Sequence, residues 1–327
     1  MTTTMPTERM GRSELRLTRL GLGTWALGGP WERGWGPQDD ESSVAAIRRA
    51  IEGGVNWIDT APVYGRGHAE EVVGRVLTDL AEEDRPLVLT KCGRKSTPEG
   101  VRSIGDPASI LAEAEESLAR LGVDRVDVLQ LHWPPEDGTP IEEAWAAIAS
   151  LRDRGVARYI GACNVSVAQL EALEAVAHVD LVQPPLSLID RRAAEPGGVL
   201  PWAAAAGAGA IVYSPLQSGI LTDSFDRARV EAMAPDDWRR ANPEFREPRL
   251  GRNLGLVDAL RPLAASLGCS VSELALAWAI EQPGVTAAIV GARRPDQVDG
   301  WIGAAGIALD DCTRAAIRDA LTVLEAP

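Results

Sequence analysis

The chain has 327 residues, of which 45% are hydrophobic and 24% charged, a composition ordinary for a globular protein. Its formal net charge of −14 argues against nucleic acid or an anionic membrane surface as a partner. Four cysteines without zinc-type spacing argue against a metal site or a disulfide framework and indicate a reduced, cytoplasmic protein. We predict neither a signal peptide nor a membrane span, because the apolar stretches are too short.

The chain begins with a predicted short hairpin over residues 8–20, followed by a strand near Leu20. This strand ends in a Gly-x-Gly that lacks the third glycine and the following helix of a dinucleotide-binding motif. We therefore expect the glycines to permit close packing at the strand end. A helix with Val44, Ile47 and Ile51 on one face follows and ends at Gly53.

Strands and helices then alternate to the end of the chain. Further strands are predicted at residues 55–58, 87–90, 126–131, 157–161, 179–182, 210–212 and 287–290. Helix starts are predicted at Asp106 with Pro107, and at three capping boxes: Thr139 with Glu142, in a helix to Gly155, Ser166 with Gln169, and Ser270 with Glu273. Eight mostly apolar strands separated by amphipathic helices predict one α/β domain over residues 1–327, a (β/α)₈ TIM barrel.

Two segments depart from the regular alternation. Residues 214–251, after the seventh strand, form a predicted long loop rich in Pro, Arg and Asp, and a loop of that length commonly covers a binding site. The first βα loop contains Trp25, Trp31 and Trp35 beside several glycines. These tryptophans either fill the core or line a pocket.

Polar residues stand at the carboxyl ends of the predicted strands: Asp59, Lys91, His132, Asn164, Gln183 and Tyr213. Each has an ordinary structural explanation when taken alone; Asp59, for example, could bond to turn amides, and His132 could be a satisfied core histidine. In a barrel, however, these strand ends converge on the face where active sites lie. We therefore expect one functional site, which Tyr64, in the loop just beyond Asp59, would join.

Seven motifs resemble those of the aldo-keto reductases and extend over nearly the whole chain. They are Leu20-Gly-Leu-Gly-Thr-Trp, Asp59 with Tyr64-Gly, Leu89-Thr-Lys-Cys, Leu129-Gln-Leu-His-Trp, Arg158-Tyr-Ile-Gly-Ala-Cys-Asn, Tyr213-Ser-Pro-Leu and Ile289-Val-Gly-Ala-Arg. The resemblance implies reduction of aldehydes or ketones with NADPH, or less often NADH. It implies a catalytic tetrad of Asp59, Tyr64, Lys91 and His132.

The chemistry of these four side chains is consistent with that assignment. A carbonyl that accepts hydride develops negative charge on oxygen and needs a proton donor, and Tyr64 can be that donor. A tyrosine has an ordinary pKa near 10, and we expect the Lys91 ammonium to lower the pKa of Tyr64. Asp59 would keep Lys91 charged, and His132 would hold the carbonyl oxygen by a hydrogen bond.

The resemblance also implies a set of cofactor contacts, with Asn164 and Gln183 on the nicotinamide carboxamide, Tyr213 stacked on its ring and Arg293 near the adenosine 2′-phosphate. Arginine suits a phosphate, so we expect NADPH to be preferred over NADH. Cys163 stands where many relatives have Ser, and a thiol is the weaker donor. The full set is Thr24, Trp25, Asn164, Gln183, Tyr213, Ser214, Leu216, Gln217, Ser218, Gly291, Arg293 and Gln297.

Other functions stay open at this stage. Potassium-channel β subunits resemble the same family and act partly as binding partners, although the tetrad favours an enzyme. A sugar or polyol dehydrogenase working in the oxidative direction would use the same residues. The substrate, a small carbonyl or alcohol compound, would be selected by Trp31, Trp35 and Trp133; neither its identity nor the oligomeric state follows from the sequence.

Overall fold

The protein is described here by a computed structural model covering residues 5–235 and 237–325. The strands, in chain order, are β1 Thr7–Arg9, β2 Arg16–Thr18, β3 Leu20–Gly23, β4 Trp57–Asp59, β5 Leu87–Cys92, β6 Arg94–Thr97, β7 Gly100–Ser103, β8 Val126–Leu131, β9 Ala157–Cys163, β10 Leu181–Gln183, β11 Gly209–Val212 and β12 Ala287–Gly291. The helices are α1 Asp40–Glu52, α2 His68–Thr78, α3 Pro107–Leu121, α4 Ile141–Asp153, α5 Val167–Val176, α6 Val199–Ala206, α7 Arg227–Glu231, α8 Arg249–Ser266, α9 Val271–Ile280, α10 Pro295–Asp299 and α11 Asp311–Leu321.

Eight of the strands form a closed parallel barrel in the order β3, β4, β5, β8, β9, β10, β11 and β12, and β12 pairs with β3 to close it. The predicted (β/α)₈ barrel is therefore confirmed. The remaining strands form two antiparallel hairpins, β1–β2 and β6–β7. The first hairpin was predicted from the sequence, whereas the second, inserted after β5, was not.

The local signals for helix starts and ends are mostly confirmed. Asp106 accepts a hydrogen bond from the Ser109 amide, and both capping boxes, at Ser166 and at Ser270, are formed. The capping box predicted at Thr139 with Glu142 is wrong.

At that position Pro140 is the residue that precedes α4. The Asp137 carboxylate instead accepts a hydrogen bond from the Thr139 amide, because an aspartate two residues upstream can bond to that amide in a turn. The helix also ends at Asp153, before Gly155. The capping-box pattern fails here because the turn at Asp137 uses the Thr139 amide, which the Glu142 side chain would otherwise accept from.

The strand predicted at residues 55–58 begins later, since β4 covers Trp57–Asp59. The Trp57 indole lies inside the barrel against Gly21, where an added Cβ would be 2.0 Å from the ring. The close packing expected at the Gly-x-Gly is therefore present, although it is made with side chains. An added Cβ on Gly23 would likewise meet Ile289 at 2.5 Å.

The β1–β2 hairpin covers the amino-terminal end of the barrel. The Arg12 amide donates to the carbonyl oxygen of Gly207, just before β11, and the Glu14 amide donates to the Tyr159 hydroxyl on β9. Met10 and Leu17 of this segment join the apolar cluster that fills the barrel interior. A second, larger cluster lies between the outside of the barrel and its helices.

Residues 214–251 are more ordered in secondary structure than the predicted long loop. The segment contains α7 and several short 3₁₀ turns, and its last three residues already belong to α8. Over the described ranges, no single helix is both long and apolar enough to cross a membrane; α8 and α9 pass only together, with a bend of 89° between them.

Candidate active site

A cavity of about 720 Å³ lies at the carboxyl ends of the barrel strands. Its walls come from the strand ends, from the first βα loop and from the segment that follows β11. Most of the residues predicted for the site line it. They include Thr24, Trp25, Trp31, Trp35, Asp59, Tyr64, His132, Trp133, Asn164, Gln183, Tyr213, Ser214, Leu216, Ser218, Gly291, Arg293 and Gln297.

Asp59 and Lys91 form a buried ion pair at the floor of this cavity. The Lys91 Nζ lies 2.5 Å from Asp59 Oδ1 and 2.9 Å from the carbonyl oxygen of Thr60. Burial alone would lower the pKa of Lys91, but the charge of Asp59, acting together with Tyr64, Cys163 and the hydrogen bond to Asp59, raises the pKa of Lys91 above its ordinary value. Lys91 is therefore a fixed cation beneath the cavity.

Tyr64 stands over this cation. The Lys91 Nζ is 5.3 Å from the centre of the Tyr64 ring, and the His132 ring meets the Tyr64 ring edge-on at 5.7 Å. Tyr64 is only partly exposed, toward the cavity. Burial raises the pKa of Tyr64 to about 12, and Lys91 offsets only part of that rise. The expectation of a net lowered pKa is corrected, because removing a phenolate from water costs more than one neighbouring ammonium returns.

His132 is held as a neutral imidazole. Burial and then the charges of Lys91 and Arg94 keep the pKa of His132 well below its ordinary value. Among the described residues its Nδ1 has no hydrogen-bond partner, and the ring lines the cavity.

Gln130, on β8, was not singled out from the sequence, yet it is central to the polar floor. Its Nε2 lies 3.3 Å from Asp59 Oδ2, and its Oε1 accepts from Gln183 Nε2 at 3.0 Å and from the Cys163 thiol at 3.4 Å. Its signal is a lone amide in an apolar strand segment, Val128-Leu-Gln-Leu131, on the inward-facing register. The Gln130 side chain is fully buried.

The backbone on the rim of the cavity adopts conformations that most residues avoid. Asn164, Ser214, Gln217 and Ser218, all predicted cofactor contacts, have φ values between 47° and 59°. Left-handed backbone at a non-glycine residue is uncommon and clusters at functional sites. These backbone conformations are consistent with a functional rim and could not be predicted from the sequence.

Comparison with known proteins decides the family. A model described as "Aldo/keto reductase family" matches residues 19–322. The chain belongs to the aldo/keto reductase family. It is therefore an oxidoreductase of a family that uses a nicotinamide cofactor.

Individual relatives of this aldo/keto reductase carry different names. The chain is 35% identical to aldo-keto reductase YhdN of Bacillus subtilis, over 95% of this chain and 91% of the relative. It is 34% identical to the NADH-specific methylglyoxal reductase of Escherichia coli, over 97% and 98%. It superposes on the glycerol dehydrogenase of Gluconobacter oxydans with a TM-score of 0.87 and 37% identity, covering 97% and 95% of the two chains.

The amides proposed to meet the nicotinamide group are themselves fixed by the protein. Asn164 donates from Nδ2 to the His132 carbonyl oxygen at 2.9 Å and accepts at Oδ1 from the Tyr213 hydroxyl at 2.6 Å. Gln183 donates from Nε2 to Asp59 Oδ2 at 2.9 Å as well as to Gln130. Since both hydrogens of Gln183 are used, only its Oε1 is left to accept from a ligand.

Gln217, a predicted cofactor contact, and Cys163, which precedes Asn164, do not line the cavity. Gln217 is not among the lining residues, and its Oε1 accepts from the Ser187 hydroxyl at 3.3 Å. Cys163 is fully buried with its thiol on Gln130. Burial raises the pKa of the Cys163 thiol, so it is a neutral donor within the floor. A direct side-chain contact of Gln217 with the cofactor is therefore not supported.

Arg293 is held by the first βα loop. Its Nε donates to Gln38 Oε1 at 2.7 Å, its Nη1 to the Trp35 carbonyl oxygen at 3.2 Å, and its Nη2 to that of Pro37. The Arg293 amide donates to Gln297 Oε1 at 2.7 Å. All of these partners are uncharged, so the positive charge of Arg293 is not compensated by them.

Tryptophans connect the first βα loop to the segment after β11. Trp238 packs 5.2 Å from Trp25 and 5.9 Å from Trp35, measured between ring centres, and the Arg239 guanidinium lies 4.5 Å above the Trp35 ring. Trp31 lies 6.1 Å from Tyr64. Trp238 and Arg239 were not predicted as site residues, because their distance in sequence hides this contact.

Proposed function

We propose that the protein reduces aldehydes or ketones to alcohols with NADPH, with Tyr64 as the general acid. The observation that carries the proposal is the placement of the Tyr64 phenol between the Lys91 cation and the His132 ring, at the floor of the cavity. The bound cofactor would supply the hydride. All the other steps fall to side chains of the chain itself.

In this proposal His132 holds the carbonyl oxygen through the ring nitrogen that faces the cavity. A neutral imidazole can donate one hydrogen bond without giving up its proton, which suits positioning. Tyr64 then donates its phenolic proton to the same oxygen as negative charge develops there. Lys91, kept charged by Asp59, stabilises the phenolate that remains.

The cofactor would lie along the predicted rim residues. Gln183 Oε1 and the remaining amide hydrogen of Asn164 suit the two halves of a carboxamide, because one accepts and the other donates. We propose NADPH over NADH because Arg293 keeps an uncompensated charge at the edge of the cavity. Arg294 is engaged with Asp296 at 3.0 Å and is the weaker candidate.

A second candidate function is alcohol oxidation with the oxidised cofactor. It is favoured by the structural similarity to a protein named glycerol dehydrogenase. The same residues serve, with the Tyr64 phenolate as the base. We further propose that the protein works as a single-domain enzyme in the cytoplasm, which its four unpaired cysteines support.

The direct test is a steady-state assay with purified protein. NADPH oxidation would be followed with a panel of aldehydes and ketones, and NADP⁺ reduction with glycerol and sugars. Turnover in the first panel that is lost in Tyr64→Phe supports the proposal. Cofactor binding without turnover of any panel member would instead favour a binding role such as that of a channel β subunit.

A further inference from the structure

The cavity is strongly basic although the protein is acidic. The chain carries 47 acidic and 33 basic residues outside histidine, yet the only acidic residue lining the cavity within the described ranges is Asp59, which Lys91 neutralises. Six arginines line the same cavity: Arg33, Arg94, Arg229, Arg239, Arg293 and Arg294. Two of them are paired with carboxylates outside the lining, Arg239 with Asp237 and Arg294 with Asp296, and the other four form no ion pair among the described residues. Such a local excess of charge predicts anionic ligands.

Five of these arginines divide into two groups. Arg239 and Arg294 both act on the pKa of Arg293, which places these three together on the side where the cofactor phosphates are proposed. Arg33 and Arg94 lie at the other side, where Arg94 acts on the pKa of His132 and Arg33 on that of Arg94. The phosphates of a dinucleotide account for the first group and leave the second without a ligand.

Arg94 is held rigidly by uncharged partners. Its guanidinium lies 5.0 Å from the centre of the Trp133 ring, and its Nη1 donates to the Ser103 hydroxyl at 2.7 Å. Glu136 is the carboxylate whose charge acts on the pKa of Arg94, but its Oε2 accepts from the Ser103 amide at 3.1 Å and forms no ion pair with Arg94. Among the described residues no carboxylate forms an ion pair with Arg94 or Arg33.

The burial of Arg94 beside Arg33 is unfavourable by itself and favours an anionic ligand at this position. Arg94 is about half buried, and burial is the first cause that lowers its pKa, followed by Arg33. Taking a guanidinium partly out of water beside a second arginine is unfavourable unless an anion joins them. The β6–β7 hairpin, which carries Arg94 and Ser103, is the insertion that creates this position.

The remaining groups on this side are donors as well. The Trp31 indole N–H is buried with no partner among the described residues, and the Trp31 ring lies beside Tyr64. Tyr64 is a neutral phenol, as its raised pKa shows. An acceptor oxygen of a ligand in the cavity would suit the Tyr64 hydroxyl, which lines it.

We propose that the substrates of this enzyme are aldehydes or ketones that carry an anionic group, a carboxylate or a phosphate, bound by Arg94 with help from Arg33. The inference rests on the proposed reductase function and extends it to a substrate class. The anion lies against Trp133 and Arg94 while the carbonyl oxygen reaches Tyr64 and His132. The Arg94 guanidinium then acts as a specificity-determining group, and the reaction at the carbonyl is unchanged.

The test compares matched substrates that differ in charge. 4-Carboxybenzaldehyde is paired with its methyl ester, and glyceraldehyde 3-phosphate with glyceraldehyde, each assayed with NADPH. We expect kcat/KM to be higher for the anionic member of at least one pair, and the pair that shows it distinguishes carboxylate from phosphate. The preference should decline as salt is raised, because screening weakens exposed charge interactions.

Variants then assign the preference to Arg94. In Arg94→Gln the acid-to-neutral ratio of kcat/KM should fall roughly 10- to 100-fold, the usual range for losing a hydrogen-bonded charge partner. Arg94→Lys keeps the charge and should restore part of the ratio. Arg102→Gln, which removes an exposed arginine of the same hairpin outside the cavity lining, is the matched control and should leave the ratio unchanged.

Two outcomes overturn the inference, and they differ in what else they affect. If the wild-type enzyme reduces charged and neutral members equally, the anionic substrate class is wrong while the reductase function stands. If no carbonyl compound of either kind is reduced, the proposed function falls and the substrate class with it. The substrate ratio of Arg94→Gln is interpreted only if this variant binds NADPH with wild-type affinity. If Arg94→Gln does not fold, Arg94→Lys is compared with the wild type in its place.

Discussion

Gln183 and Asp59 are joined across the barrel by a hydrogen bond of 2.9 Å between Gln183 Nε2 and Asp59 Oδ2. The residue proposed to meet the cofactor thus also holds the carboxylate that we propose to be part of the catalytic tetrad. Lys91 occupies the other oxygen of Asp59. A change in the position of a nicotinamide group bound at Gln183 would therefore be transmitted to the Asp59–Lys91 ion pair through the Gln183 side chain alone.

Gln130 should matter for catalysis although it does not line the cavity. In Gln130→Leu, Gln183 loses one of its two acceptors, the Cys163 thiol loses its acceptor and Asp59 loses one donor. Leaving buried polar groups unsatisfied costs about 1–3 kcal/mol, so we expect kcat/KM to fall about tenfold or more and NADPH affinity to weaken. Gln282→Leu, whose amide bonds only to the Trp278 carbonyl oxygen, is the control. Unchanged kinetics in Gln130→Leu would show that the network is structural only.

Tyr64→Phe should remove the proton donor while leaving the ring. General acid catalysis is worth about 10²–10⁴-fold, and we expect kcat for carbonyl reduction to fall by that factor while NADPH affinity stays within a few-fold. Lys91→Met should also cripple turnover, because nothing would then stabilise the phenolate. Near wild-type reduction by Tyr64→Phe would transfer the role of acid to His132 or a bound water.

The pH dependence follows from the direction of the Tyr64 shift. With its pKa raised to about 12, Tyr64 stays protonated through the whole neutral range, so kcat for reduction should be flat there. Oxidation needs the phenolate, and its rate should rise tenfold per pH unit until the pKa is approached. The two profiles are measured in parallel buffers. If the reduction rate already declines at pH values below about 10, the ordinary pKa of a tyrosine, the effect of Lys91 on the pKa of Tyr64 outweighs that of burial.

Cofactor choice should depend on Arg293. We expect NADPH to bind more tightly than NADH, and Arg293→Ala to reduce that preference, because charge-assisted bonds to the 2′-phosphate are lost. Tryptophan fluorescence with both cofactors measures it. Arg252→Ala, from α8 and outside the cavity lining, is the control. Equal affinities in the wild type would contradict the prediction, and tighter binding of NADH would resemble the preference stated in the name of the NADH-specific relative.

The segment 214–251 should become more protected when the cofactor binds. Its contact with the first βα loop depends on Trp238 packed against Trp25 and Trp35. Hydrogen exchange with and without NADPH tests the prediction, and Trp238→Ala should diminish the protection gained. Exchange in this segment that is the same in both states would mean that it is a fixed wall.

The sequence supports the barrel strongly because periodicity, caps and strand ends are local signals. Asp106, Ser166 and Ser270 could be read as caps from three or four neighbouring residues. The contacts that fine-tune the site could not, because they join distant segments: Gln130 with Gln183, Arg293 with the loop at Trp35, and Trp238 with Trp25. The net pKa shift of Tyr64 was missed for a similar reason, since burial depends on everything packed around the ring.

The hairpin β1–β2 has a consequence for how ligands come and go. Because the hairpin and the apolar cluster that fills the barrel together close the amino-terminal side, the cavity is reached from the carboxyl ends of the strands. We expect a molecule bound near Gln183, which is 4% exposed, to enter before one bound at Trp133, which is 39% exposed, and to leave after it. We expect the order in which the two ligands bind to be set by the shape of the cavity, independently of the affinity of either ligand.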